Sequence, residues 1–219
     1  MDTSTALRTN GAARDFTDEA VPRATIHDIL DDARFAPSGG NRQPWRVAVV
    51  EDRAIRRRIG DLMQPVWDGY IARGKLGVTP YNVVDDVEPE DVPHAPNALV
   101  DTIDSVPVVL AVAADLRRIA MMDSAVGRPP VTGGASIYPF CWSILLAARA
   151  RGLGGVLTTF LSRAEHAAAP GLGLPEHHAL AATIFLGVPR QQVTKLRREP
   201  VEAFATLDRF DGPALTGAP

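Results

Sequence analysis

Ala36-Pro37-Ser38-Gly39-Gly40-Asn41-Arg42-Gln43-Pro44-Trp45-Arg46-Val47-Ala48-Val49-Val50 decides how the rest of the chain is read. Upstream of it, Ile26, Ile29, Leu30 and Ala33 repeat at helical spacing after Pro22, with Asp28, Asp31 and Asp32 turned outward. Pro37 stops that helix, because its ring forbids a continuing helical hydrogen bond. Gly39 and Gly40 allow close backbone approach, and Ser38, Asn41 and Gln43 set hydrogen-bonding groups around the same turn. Residues 47–50 then read as a strand running into the interior. Polar groups at such a handover suit a planar ligand with a polar edge, although an ordinary turn-rich loop has the same composition.

Working outward, Asp52 caps a helix carrying Ile55, Ile59, Leu62 and Met63. Residues 64–105 lose the pattern: Trp67, Tyr70 and Tyr81 stand among Pro, Gly, Asp and Asn, followed by an acidic run at 85–91. A surface excursion, part helix and part loop, is expected there, its aromatics either a lid or a staple and its acidic run a solvated surface. Residues 107–113, 156–160 and 179–187 read as further strands, with a loop at 115–130 and a short helix at 163–169 closed by Pro170-Gly171. Residues 137–151 form the most apolar helix, expected to be buried all round or shared with a second subunit. Residues 190–219 form a tail with no core pattern. Helices interleaved with four short buried strands imply a sheet between helix layers, without fixing strand direction.

The 219 residues carry a net charge of -3, which leaves no electrostatic footprint for nucleic acid or an anionic membrane. The single cysteine, Cys141, excludes a disulfide framework and reads as a packing residue. The five histidines are not in metal-ligand spacing with carboxylates, and no metal is expected. The first residues lack the apolar core of a signal peptide and no run reaches membrane-spanning length, so a cytoplasmic soluble protein is expected.

The block from Ala36 to Arg46 closely resembles the signature of the FMN-dependent nitroreductase family, approximately A-P-S-x-x-N-x-Q-P-W. Arg14-Asp15-Phe16 with Val21-Pro22, the helix with its glycine exit at 143–154, Leu186-Gly187-Val188-Pro189, and Arg197-Arg198-Glu199-Pro200-Val201 resemble further family features in order. The resemblance implies an α+β fold, a three-layer α/β/α sandwich forming one domain over 1–219. It implies FMN as cofactor and NADH or NADPH as electron donor. It also implies a nitroaromatic or quinone-like acceptor, and a homodimer whose two flavin sites are lined by both subunits. In that reading Pro37, Ser38, Gly39, Asn41 and Gln43 meet the flavin edge or ribityl chain. Leu157, Thr158 and Thr159 match the segment whose amides approach flavin N5. Arg14 and Arg198, with Arg197 and Arg8 behind them, match the phosphate contacts. No catalytic side chain is implied, because the flavin carries the hydride. One departure stands out: the family's R-R-S before R-x-F is Asn10-Gly11-Ala12 here. That departure keeps open a flavin-sequestering protein with little nicotinamide-dependent turnover. Flavin fragmentation, reductive dehalogenation and dehydrogenation also stay open within the enzyme class.

Overall fold

Four strands form one sheet in the order β1-β2-β4-β3: β1 is Trp45–Val49, β2 Val108–Asp115, β3 Gly154–Thr158 and β4 His178–Gly187. All three pairings are antiparallel in this computed structural model, which describes residues 1–217. The four strands and their near-continuous apolar runs are those read from the sequence, and the pairing supplies the direction that spacing left open. β2 and β4 are central; every residue of β2 is buried, as a strand covered on both faces requires.

Helices cover both faces. On one, α2 (Arg23–Ala33) and α5 (Tyr138–Ala150) bring Ile29, Phe140 and Ile144 against Leu110, Val112, Ile184 and Leu186. On the other lie α3 (Arg53–Lys75), α4 (Ala98–Asp101), α6 (Phe160–Arg163) and α7 (Glu165–Leu172), where Ile59, Met63, Leu99 and Leu161 pack against Val109 and Phe185. The architecture is the expected α/β/α sandwich of α+β class. The short α1 (Thr3–Thr9) is capped by Asp2.

Several local expectations change. Residues 47–50 do not run wholly into the interior: Ala48 and Val49 are exposed, because β1 is an edge strand and only Trp45 and Val47 face the core. Residues 64–75 are not irregular but complete α3, which starts at Asp52, whose Oδ1 accepts from the amides of Ala54 and Ile55 at 2.8 and 3.0 Å. The apolar rhythm fails there because the buried positions are Gly69, Ala72 and Arg73, and Pro65 sits inside the helix. The acidic run is not simply solvated: Asp86 and Glu88 bond the buried Arg73 guanidinium. The helix expected at 163–169 is divided into α6 and α7; α7 contains Pro170 in its last turn and closes at left-handed Gly173. Of the two alternatives for α5, burial all round is excluded, since Tyr138 and Trp142 are 44% and 40% exposed.

Residues 11–17 lie against the glycine end of β3 and the chain leaving β4. Amides of Gly11, Ala13 and Thr17 donate to the carbonyls of Val193, Gly155 and Val188 at 3.1, 3.0 and 2.9 Å. A Cβ at Gly11 would stand 2.5 Å from the Val193 carbonyl oxygen, so this close approach requires glycine. The path carries Arg14 to the end of β3.

Candidate active site

Three places on the chain hold the residues singled out from the sequence. The first is a cavity of about 440 Å³ on the α3 side of the sheet, lined by Arg14, Asn97, Leu157, Thr158 and Thr159 with the aromatic side chains of Trp67, Tyr70 and Phe160. Trp67 and Tyr70, one helical turn apart on α3, stack with ring centroids 6.0 Å apart, and Phe160 meets each edge-on at 5.6 Å. Trp67 Nε1 donates to the Pro96 carbonyl at 3.3 Å, Gln64 Nε2 to the Ala95 carbonyl at 2.8 Å, and the Ala95 amide to Asp68 at 2.8 Å. Those bonds tie the end of the excursion to α3. They also deliver Asn97, the cap of α4, to the cavity wall. Arg14 has no ion pair among the described residues, and Thr158 Oγ1 is a sealed hydroxyl without a partner. Apolar walls, flat aromatic rings and a few convergent polar groups are the makings of a site for a planar, polar-edged molecule.

The second place is the elbow. Residues 39–41 form a 3-10 turn in which Gly40, Asn41 and, just beyond, Gln43 adopt φ of 60°, 51° and 47°. Asn and Gly tolerate the left-handed region, whereas Gln43 is held there against its preference. The Gln43 amide donates to Ser38 Oγ at 3.0 Å and its side chain to Asn41 Oδ1 at 3.2 Å. Pro37, Gly39, Asn41 and Gln43 are exposed and Ser38 half-buried. The elbow leads into β1, and Leu157 to Thr159 end β3, the opposite edge of the sheet. Three strand spacings, about 14 Å, separate these edges. The elbow therefore does not line the aromatic cavity of its own chain.

The third place is an open cleft of about 1120 Å³ between α1 and residues 194–199, with Arg8, Lys195, Arg197 and Arg198 on its walls and Glu199 as its one acid. Arg14 and Arg198 thus line separate cavities of the chain. Asn10 Nδ2, where the sequence departs from the family pattern, is buried without a partner.

Elsewhere the carboxylates and the thiol have plain structural roles. Asp115 is held down to about 2 chiefly by the Arg117 side-chain hydrogen bond, and Asp123 well below the usual carboxylate range by Thr132 and the Val131 amide. Burial pushes Cys141 up to about 12, which leaves it a packing thiol. Asp31 and Asp32 pair with Arg34 and Arg151 on the surface, and no group of three potential metal ligands exists among the described residues. No described helix is long and apolar enough to cross a membrane. Asn97 escaped the sequence reading. Its signal was present, an Asn ahead of the short apolar run Ala98-Leu99-Val100, but a capping residue looks the same whether or not it also faces a cavity.

Known proteins resemble this chain in sequence and in fold. The chain is 26% identical over 202 residues to a protein of Thermus thermophilus named NADH dehydrogenase, covering 92% of this chain and 94% of that one. It is also 26% identical over 232 residues to a 4-nitrobenzoate reductase of Nocardioides, covering 92% and 87%. The fold matches the NADPH:FMN oxidoreductase of Vibrio harveyi complexed with NAD+, with a TM-score of 0.70 at 18% identity over 95% of this chain and 78% of the other. The sequence profile of the nitroreductase family matches residues 9–188, and the chain belongs to that family.

Proposed function

We propose that the protein is an FMN-dependent oxidoreductase that uses NADH or NADPH to reduce a conjugated acceptor such as a nitroaromatic or a quinone. The observation that carries this is the aromatic cavity, where Arg14, Asn97 and the exit of β3 converge beside flat rings in a chain of this family. The names of its relatives, a nitrobenzoate reductase and an NADPH:FMN oxidoreductase, support the same chemistry. The residues present fit FMN: an unpaired guanidinium, an amide side chain and stacking surface occur together.

Bound FMN would supply hydride transfer in both directions, which no amino-acid side chain provides. The chain's part is binding and orientation. Leu157, Thr158 and Thr159 present the end of β3, and Trp67, Tyr70 and Phe160 offer stacking area and keep water out. Asn97 would offer an amide donor to the flavin edge, and Arg14 a guanidinium to the phosphate end. No side chain is assigned as acid or base.

The elbow, stranded on the far edge of the sheet, completes the cavity of a second copy in this reading, and the exposed apolar face at Tyr138 and Trp142 is the contact that seats it. Arg197 and Arg198, with Arg8, hold the phosphate end. The test is anaerobic mixing of FMN-loaded protein with NADH or NADPH. Rapid loss of the flavin absorption band, restored by a nitroaromatic or quinone, is expected. Flavin that binds but stays oxidised would favour the sequestering reading, for which Asn10-Gly11-Ala12 is the sequence argument. Failure to bind FMN would overturn both.

A further inference from the structure

The loop of residues 116–136, between β2 and α5, grips the elbow at two points. From one end, Arg118 Nη1 donates to the Arg42 carbonyl at 3.2 Å. At the other end, Ser136 Oγ accepts from the Gly39 amide at 3.0 Å. Ser136 closes the 3-10 turn Thr132–Ser136, and the opening of that turn is fixed by one buried carboxylate. Asp123, 6% exposed, accepts from the amides of Val131 and Thr132 at 2.8 and 3.2 Å, from Thr132 Oγ1, and from Arg128 at 2.7 Å. A carboxylate that spends both oxygens on a loop's backbone amides fixes that loop as exchanging water could not. The elbow needs such support, since Asn41 and Gln43 both hold left-handed backbone that surrounding contacts must over-determine.

We propose that Asp123 is a positioning residue for the elbow. It sets the turn that carries Ser136, and Ser136 holds Gly39 in the shape that presents Ser38, Asn41 and Gln43 to the ligand. This rests on the reading of the elbow as part of an FMN site. It adds that the site's geometry is dictated from a carboxylate some eighty residues along the chain, roughly the sequence distance from Gly39 to Asp123. The other anchor, Arg118, ion-pairs with Asp115, so the hydrogen bonds that open the turn at the Ser136 end come from Asp123.

The experiment measures FMN affinity by flavin fluorescence quenching for the wild-type protein, Asp123→Ala, Ser136→Ala and the double variant, with thermal midpoints alongside. Asp123→Asn serves as the conservative replacement. Ser136→Ala and Asp123→Ala are each expected to weaken FMN binding about fivefold, the effect of one lost hydrogen bond in the pathway. The double variant is expected to be no weaker than the worse single one, because both cut the same path. Asp123→Asn, which keeps an acceptor for the amides, is expected to recover most of the affinity. Wild-type affinity in Ser136→Ala, or additive losses in the double variant, would overturn the proposal. A wild-type protein that does not bind FMN at all would instead overturn the functional reading beneath it.

Discussion

Replacing Arg73 by alanine tests how the wall of the aromatic cavity is held. Arg73 is 3% exposed, three residues beyond Tyr70 on α3. Its Nε donates to both carboxylate oxygens of Asp86 at 3.0 and 3.1 Å, and its guanidinium carbon lies 4.2 Å from the Tyr81 ring centroid. The bond to Glu88 counts for little, because that carboxylate is 80% exposed. Charge-assisted hydrogen bonds to the part-buried Asp86 contribute about 1.5–3 kcal/mol. A largely desolvated cation–π contact adds about 1 kcal/mol. Arg73→Ala is therefore expected to lose about 3 kcal/mol in urea unfolding and to free residues 76–97, which fold back on α3. Those residues end at Pro96, whose carbonyl holds Trp67, and Asn97, which lines the cavity, so FMN affinity is expected to fall as well. Limited proteolysis reads the first effect directly, as new cleavage within 76–97. A variant within 1 kcal/mol of wild type and uncleaved there would refute the argument that Arg73 fastens the excursion. Arg73→Lys is expected to recover little, since an ammonium cannot lay a flat cation on the Tyr81 ring while donating from mid-chain to Asp86.

Arg198→Ala is expected to lower FMN affinity about tenfold if its guanidinium meets the phosphate, and unchanged flavin occupancy in the purified variant would remove Arg198 from the site. Trp142→Asp places a charge on the exposed apolar face of α5 and is expected to yield monomers by light scattering, whereas an unchanged dimer mass would locate the contact elsewhere. Asp115 and Asp123 have folded-state values below their unfolded ones, so their contribution is complete above about pH 4 and is lost as pH falls through 2 and lower. Asp123→Asn is expected to flatten the acid limb of the stability profile. A limb that keeps the wild-type slope would place that titration on other groups.

The layers of this fold were legible because burial leaves a rhythm. Residues 108–115 and 178–187 carry runs that only a doubly covered strand tolerates, and α5 is apolar for the same reason. The second half of α3 was hidden because its inward positions are Gly69, Ala72 and Arg73, buried by close approach and by an ion pair. Arg14 and residues 157–159 share one cavity. The elbow's separation from them was not legible, because motif order along a chain carries no information about which edge of an antiparallel sheet each motif reaches. Asn97 shows the same limit in miniature, since capping and ligand contact call for the same side chain.

The outer side of β1 has no hydrogen-bonded neighbour among the described residues, so a row of main-chain donors and acceptors from Trp45 to Val49 faces outward. Such a row is a template on which unrelated extended polypeptide can grow, and short length and charge are the usual guards against it. Here the guards are a strand of five residues and the exposed cation Arg46. Replacing Arg46 with a branched apolar residue would turn this margin into a nucleus for fibrous self-assembly during concentration or storage, even in a protein whose chemistry was untouched.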